Sequence, residues 1–121
     1  MSKTILTVDD SRTMREMLML ALNDAGYHVL QAEDGIVGLQ VLQGQAADVI
    51  ITDINMPRLD GFGFIEHVRR DVTHRAVPIL VLTTESDAEK KSRARNAGAT
   101  GWIVKPFNPY KLVEAIRRVA G

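Results

Sequence analysis

VIITDINMP, residues 49–57, opens on three consecutive β-branched residues, Val49, Ile50 and Ile51. Such a run suits a strand covered on both faces of a parallel sheet. Met56-Pro57 closes it, because proline has no amide proton to give to a sheet ladder. Asp53 therefore stands at the carboxyl end of a buried strand, the edge at which open α/β sheets hold their ligands. A lone strand-end aspartate is more often a helix cap or turn former than a ligand, so the flanking chain has to decide what Asp53 is for.

Outward from that strand, apolar runs alternate with amphipathic ones in both directions. Further strands are expected at 4–8, 28–31, 79–83 and 101–104, beside 49–52 itself. A first helix places Met14, Met17, Leu18, Ala21, Leu22 and Ala25 on one face and stops at Gly26. A second runs from Asp34 toward Leu42 and ends at Gly44. A third follows Asp60, with Phe62, Ile65 and Val68 inward and Phe62 and Phe64 packing at its start. Ser86, Asp87, Ala88 and Glu89 have the spacing of a capping box and open a fourth helix, which closes at Gly98. The fifth takes Asn108 as cap and Pro109 in its first turn, with Leu112, Ala115, Ile116 and Val119 inward. Strict alternation of strand and helix implies parallel strands joined by right-handed crossovers. The expected architecture is α/β: a five-stranded parallel sheet with five helices, doubly wound, forming one domain over residues 1–121 with no output domain after the fifth helix.

The fourth helix differs from the rest. Residues 88–97 read AEKKSRARNA and offer the core nothing larger than alanine. Lys90, Lys91, Arg93 and Arg95 read as a solvated face. Weak anchoring makes this helix, with the loop before it, the element expected to move when the site changes state.

Composition narrows the function classes. The 121 residues suffice for one domain with a proper core, and 45% hydrophobic with 25% charged residues is the balance of an ordinary globule. Formal net charge is +0, so no field favours nucleic acid or an anionic membrane. There is no cysteine, which excludes disulfides and thiolate metal sites. MSKTILTVDD is too short and too soon charged for a signal peptide, and no apolar run approaches spanning length. A cytoplasmic monomer is expected. Met14 and Met17 read as core filler. His28, His67 and His74 lack metal-ligand spacing and are assigned to the surface.

Chemistry gathers at the strand ends. Asp9 and Asp10 follow the first strand and Asp53 follows the third. One of the first pair could simply cap the first helix, which Ser11 could also do. If the first and third strands are neighbours, three carboxylates converge, and unit charges ~4 Å apart repel by about 4 kcal/mol at an effective dielectric near 20. Such a cluster takes up protons or holds a cation. An all-oxygen site with few protein ligands suits Mg²⁺, with Mn²⁺ tolerated. Thr83 closes the fourth strand and Lys105 the fifth. Each alone reads as a β-branched strand residue or a surface lysine; together they set a hydroxyl donor and a compact cation opposite the acids. A carboxylate can attack phosphorus and form an aspartyl phosphate, a transfer that needs positioning and charge neutralisation above all. Asp53 is the better nucleophile candidate, since Asp9 and Asp10 are adjacent and better placed to share a metal.

VDD (8–10), TDINMPRLDG (52–61), the strand end at Thr83 and GATGWIVKPF (98–107) resemble a bacterial two-component response-regulator receiver domain over essentially the whole chain. DDSRTMRE (9–16) and the D-I-N-M-P-x-x-D-G pattern bring it nearest to the single-domain chemotaxis regulators of that family. Four motifs on successive strand ends, in order, make the match specific. The resemblance implies a flavodoxin-like sheet of order 2-1-3-4-5. It also implies that Asp53 accepts a phosphoryl group from a phosphohistidine on a sensor histidine kinase. Asp10, Asp53 and the Asn55 backbone carbonyl would ligate Mg²⁺ directly, Asp9 mainly through water, and Lys105 and Thr83 would hold phosphoryl oxygens.

The Asn55 and Glu85 side chains sit where the family tunes phosphate lifetime; a turn asparagine and an exposed loop glutamate are the plainer readings. Phosphorylation would draw Thr83 inward and open space for the ring at Trp102, where the family more often has Tyr or Phe. An ordinary core or edge tryptophan is the alternative there. Thr84 is a second departure, since a smaller residue commonly follows the switch threonine, and its branched side chain should narrow access to the phosphoryl group. A cis Lys105-Pro106 bond is compatible with the motif. The protein would not be an enzyme with a separate substrate but a domain that assists its own phosphorylation and dephosphorylation. The implied partners are a chemotaxis-type histidine kinase and an output protein such as the flagellar motor switch, met by the fourth helix, fifth strand and fifth helix. Service as a phosphate sink, or in another pathway, stays open. An FMN-binding carrier shares the architecture but wants a Ser/Thr/Gly-rich phosphate loop after the first strand, where this chain has two carboxylates. A haloacid-dehalogenase-type phosphohydrolase wants D-x-D there, which Asp9-Asp10-Ser11 does not supply.

Overall fold

The computed structural model describes residues 2–120. Five strands, β1 (Thr4–Val8), β2 (His28–Ala32), β3 (Val49–Thr52), β4 (Ile79–Thr83) and β5 (Gly101–Val104), alternate with five helices. These are α1 (Arg12–Asp24), α2 (Gly35–Gly44), α3 (Gly61–Arg70), α4 (Ala88–Ala97) and α5 (Pro109–Ala120). All pairings are parallel and the strand order is β2-β1-β3-β4-β5. The expected boundaries hold, except that β2 runs one residue further, to Ala32.

Side chains alternate across the pleat, so each strand feeds two cores. Leu6, Val8, Ile50, Ile79 and Val81 pack with Phe62, Phe64, Ile65 and Val68 beneath α2, α3 and α4. Ile5, Val49, Ile51, Leu80 and Leu82 pack on the other face with Leu18, Leu22, Leu112 and Ile116 of α1 and α5. β3 is buried along its whole length, as a β-branched run covered on both sides should be.

The helix signals mostly act as read. Ser11 caps α1 by accepting from the Met14 amide, and Asp34 and Asp60 do the same for α2 and α3. Gly26 and Gly98 take positive φ, 91° and 120°, just past α1 and α4. At α4 the capping residue is Asp87, which accepts from the Glu89 amide; Ser86 does not cap, and the expected box does not form among the described residues. Only Ala94 of α4 is buried, which agrees with a weakly anchored helix.

Two assignments are overturned. Met17 is 47% exposed and not core filler; α1 turns Leu18 and Leu22 inward and leaves Met17 with Leu20 on a groove shared with Tyr110 of α5. His74 is buried, not on the surface, and its Nε2 donates to the Leu42 carbonyl at 3.0 Å. That carbonyl lies in the last turn of α2, where no helical amide reaches it.

Candidate functional site

The site is built by the ladder itself. β1 and β3 are neighbours, with Val8 opposite Thr52, and each strand's next residue extends the pairing. The Asp9 amide donates to Ala32 and the Asp53 amide to Val8. This places the first acidic pair and the third-strand aspartate side by side, and carboxylate oxygens of Asp9, Asp10 and Asp53 lie within 4.8 Å of one another. On the other flank the Lys105 amide donates to the Thr83 carbonyl, so β5 delivers its lysine to the same edge. The Lys105-Pro106 bond that follows is cis.

Lys105 Nζ donates to Asp9 Oδ2 and to Asp53 Oδ2, each at 2.8 Å. Asp53 Oδ1 accepts from the Ile54 amide at 2.6 Å, and Asp9 Oδ1 from the Ser11 amide at 2.9 Å. Burial pushes the Asp9 carboxyl above its usual range, even against the lowering pull of Lys105. Burial also opposes the charge on Lys105, but hydrogen bonds and charge from Asp53 and Asp9 outweigh it and hold the ammonium above its ordinary value. Three carboxylates against one ammonium leave two negative charges in excess, a donor set suited to a divalent oxygen-seeking cation.

Two small features shape the pocket floor. A Cβ on Gly61 would collide with the Asp53 carbonyl oxygen, so only glycine lets α3 start so close behind the aspartate. Arg15, on the first turn of α1, donates from Nη1 to the Asp9 carbonyl at 2.7 Å and pins that loop.

Around the rim, Thr83 is 1% exposed and its hydroxyl accepts from the Glu85 amide at 3.4 Å. Thr84 is exposed beside it. The Asn55 side chain donates to Glu85 Oε1 at 3.1 Å, and Lys90 on α4 pairs with Glu85 Oε2 at 3.1 Å. The Lys90 hydrogen bond, then that of Asn55, holds the Glu85 carboxyl below its ordinary value. Asn55's backbone carbonyl accepts no hydrogen bond from a described residue, so its lone pairs are open to a ligand. Trp102 is half-buried, and its indole N–H reaches the Glu85 carbonyl. Thus Asp9, Asp10, Asp53, Thr83 and Lys105 meet at one edge, while Asn55, Thr84, Glu85 and Trp102 form its rim. Sequence reading missed Arg15 and Lys90. Lys90 stood out only as part of a basic helix face, and nothing in its spacing pointed to Glu85.

A doubly wound sheet of order 2-1-3-4-5 with acids on β1 and β3 and a lysine on β5 defines a class, and comparison identifies it. The response regulator receiver domain profile matches residues 5–117. Chemotaxis protein CheY1 of Helicobacter pylori is 40% identical over 97% of this chain and 96% of its own length. CheY-3 of Vibrio cholerae is 36% identical over 95% and 89% respectively. The crystal structure of V. cholerae CheY4 matches with a TM-score of 0.94 at 46% identity, covering 98% of this chain and 99% of that one. The receiver domain of the sensor histidine kinase PA1611 of Pseudomonas aeruginosa, solved with a magnesium ion coordinated in its active-site cleft, matches with a TM-score of 0.93 at 28% identity over 100% and 99%. The chain belongs to the response-regulator receiver family of two-component signalling, and its relatives include chemotaxis proteins of the CheY type. None of the described helices is long and apolar enough to cross a membrane.

Proposed function

We propose that this protein is a phosphoaccepting switch: Asp53 takes a phosphoryl group from the phosphohistidine of a sensor histidine kinase, and the face formed by α4, β5 and α5 passes the change on. The observation that carries this reading is Lys105, whose ammonium bridges Asp9 and Asp53 at 2.8 Å each and is thereby aimed at the oxygens of a group placed on Asp53.

In the transfer the Asp53 carboxylate attacks phosphorus. A P–O bond forms as the P–N bond to the donor imidazole breaks, and the imidazole leaves with the electron pair and takes up a proton. Little other covalent work is required, so neutralising charge on the phosphoryl oxygens is the main task. Lys105 supplies one cation for it and the buried Thr83 hydroxyl one hydrogen bond. The excess negative charge of the pocket fits Mg²⁺, which Asp9, Asp10, Asp53 and the Asn55 carbonyl would hold. Bound there, the ion would add positive charge beside the transferring group; the magnesium described for the P. aeruginosa receiver domain supports that choice. Product charge then rises from −1 to near −2 on residue 53, which draws the Thr83 hydroxyl toward the new acceptors. Glu85, one loop away, is tied to both α4 and Trp102, so a shift of this loop reaches the output face.

The protein works as a switch and not as a turnover enzyme, in the cytoplasm and as a monomer. The CheY relatives favour chemotaxis, with a CheA-like kinase as donor and the flagellar motor switch as target. The test is labelling by a phosphorylated histidine kinase, with wild type beside Asp53→Asn, in millimolar Mg²⁺ and in EDTA. Label on wild type in Mg²⁺ alone is expected; label that persists on Asp53→Asn or in EDTA would overturn the site. A pull-down of motor-switch protein by the labelled form then separates a motor regulator from a phosphate sink.

A further inference from the structure

Parallel strands put the carboxyl ends of the returning helices at the opposite edge of the sheet from the acidic pocket. A groove of about 380 Å³ between α3 and α4 is lined by Glu66, Arg69 and Arg70 toward that edge and by Arg93, Asn96 and Ala97 of α4, with the Arg93 head nearer the start of α3. Three of its six lining residues are arginines. We propose that this groove binds a small polyvalent phosphate, of pyrophosphate to nucleotide size, through Arg69, Arg70 and Arg93.

The argument rests on where the guanidinium donors go. Arg69 Nε donates to the Gly98 carbonyl at 2.9 Å, and Nη1 donates to Val77 at 2.6 Å and Arg75 at 3.0 Å. Of its five N–H groups, these bonds use three and hold the side chain fixed. The two on Nη2 meet no described acceptor, and Arg69 is among the residues that line the groove. Arg93 is held differently: its Cζ lies 4.1 Å from the centroid of the Phe62 ring, and no described carboxylate pairs with it. Arg70 makes only a loose 3.7 Å pair with Glu66. Three guanidiniums against one carboxylate leave two positive charges in excess, which matches a phosphate dianion better than a single carboxylate. The planar forks suit phosphate oxygens bidentately, and the outer side of Arg93 offers a purine a flat partner.

Complementing the helix dipole accounts for basic residues in the last turn of α3. It does not account for Arg93, which sits mid-helix and is held over an aromatic ring. A ligand here would bridge α3 to α4, whose only buried side chain is Ala94. Occupancy should therefore stiffen the helix least secured by the core.

The test uses Asp53→Asn protein in EDTA, so that phosphate chemistry at the acidic pocket is silent and its failure is not confused with this one. Pyrophosphate, ATP and AMP are titrated at millimolar levels by thermal shift and calorimetry. Pyrophosphate and ATP are expected to raise Tm by a few degrees. Adding Arg93→Gln or Arg70→Gln, both at exposed positions, should abolish the rise. Arg95→Gln, on α4 but outside the groove, should keep it while removing the same charge. A response to ATP greater than that to pyrophosphate supports a nucleotide as ligand. No rise with either ligand, or a rise that survives Arg93→Gln, overturns the proposal.

Discussion

Trp102 donates its indole N–H to the backbone carbonyl of Glu85 at 3.1 Å, across 17 residues of chain. Glu85 in turn receives Asn55 from the loop behind Asp53 and Lys90 from α4. The acidic pocket, the β4–α4 loop, the fourth helix and the fifth strand thus share one residue. A tyrosine or phenylalanine at position 102 has no N–H in that place, so the ring here is tethered to the loop in a way the commoner residues are not.

Trp102→Phe keeps an aromatic ring and loses the tether. The amides of residues 84–88 should then exchange several-fold faster, the order set by losing a hydrogen bond with a net worth of about 0.5–1.5 kcal/mol. Amides of β1 and β3 should be unchanged. Hydrogen exchange read by NMR checks this, and equal rates in the loop would show that the bond carries no weight.

Asp9→Asn should stabilise the metal-free protein. Burial raises the folded-state pKa of Asp9 above its ordinary 3.8, with the Lys105 bond only partly opposing. A carboxyl raised in the folded state is ionised at a cost at neutral pH, and that cost disappears as pH falls through the raised value. An amide removes it, while Lys105 keeps Asp53 as a partner. A Tm higher by a few degrees is expected in EDTA at pH 7, the shift that about 1 kcal/mol produces in a domain of this size. The gap should narrow on acidification and reverse in millimolar Mg²⁺, which under the proposed function the wild type would bind better. A lower Tm in EDTA would mean that pairing with Lys105 outweighs burial.

How far the sequence could be read follows from the range of each signal. β-Branched runs and helix starts are local, so the strands and the Asn108 cap were legible one by one. The sequence leaves Ser11 as one of three candidates to cap α1 and marks Asp34 and Asp60 only as the places where α2 and α3 begin. Convergence of Asp9, Asp53 and Lys105 followed once neighbouring parallel strands were assumed, because the ladder fixes what lies at each strand's end. What escaped was non-local. His74 is buried because the Leu42 carbonyl, 32 residues away, ends a helix without an amide to meet it. Met17 was misplaced because α1 has apolar residues around more than half its circumference, and only the packed helix shows which of them face the sheet. Arg93 looked like one charge in a solvated row, and the ring of Phe62 beneath it belongs to another helix.

Thr84→Ala should shorten the life of the aspartyl phosphate. Thr84 is exposed at the end of β4, next to the buried Thr83. If Asp53 is phosphorylated as proposed, this branched side chain would narrow the approach of water to the phosphoryl group. Removing it should speed loss of label severalfold, measured as the half-life of phosphorylated protein after kinase removal. Since the side chain is exposed, stability should hardly change, which separates access from unfolding. An unaltered half-life would remove the steric argument.

Arg58 closes a second acid–base link beside the site. Its Nε and Nη2 meet both oxygens of Asp34, at 2.7 and 3.1 Å, while Asp34 also caps α2. Arg58 has a φ of 68°, a left-handed conformation that costs a residue with a Cβ. The Arg58 hydrogen bond, more than burial opposes it, holds the Asp34 carboxyl below its ordinary 3.8. A depressed folded-state pKa contributes stability above the unfolded value, and that contribution is lost as pH falls through the folded one. Arg58→Ala should therefore melt below wild type at pH 7, and the two curves should converge as pH drops below about 4, where free aspartates protonate. Because the guanidinium is half exposed, salt should shrink the pH 7 difference as well. Arg58→Gly separates the two contributions: it loses the pair like alanine but tolerates the positive φ, so it should melt above Arg58→Ala at every pH. Equal melting of the two variants would mean that the left-handed backbone stores no strain, and a gap between wild type and Arg58→Ala that does not narrow on acidification would mean that the pair is not what the arginine contributes.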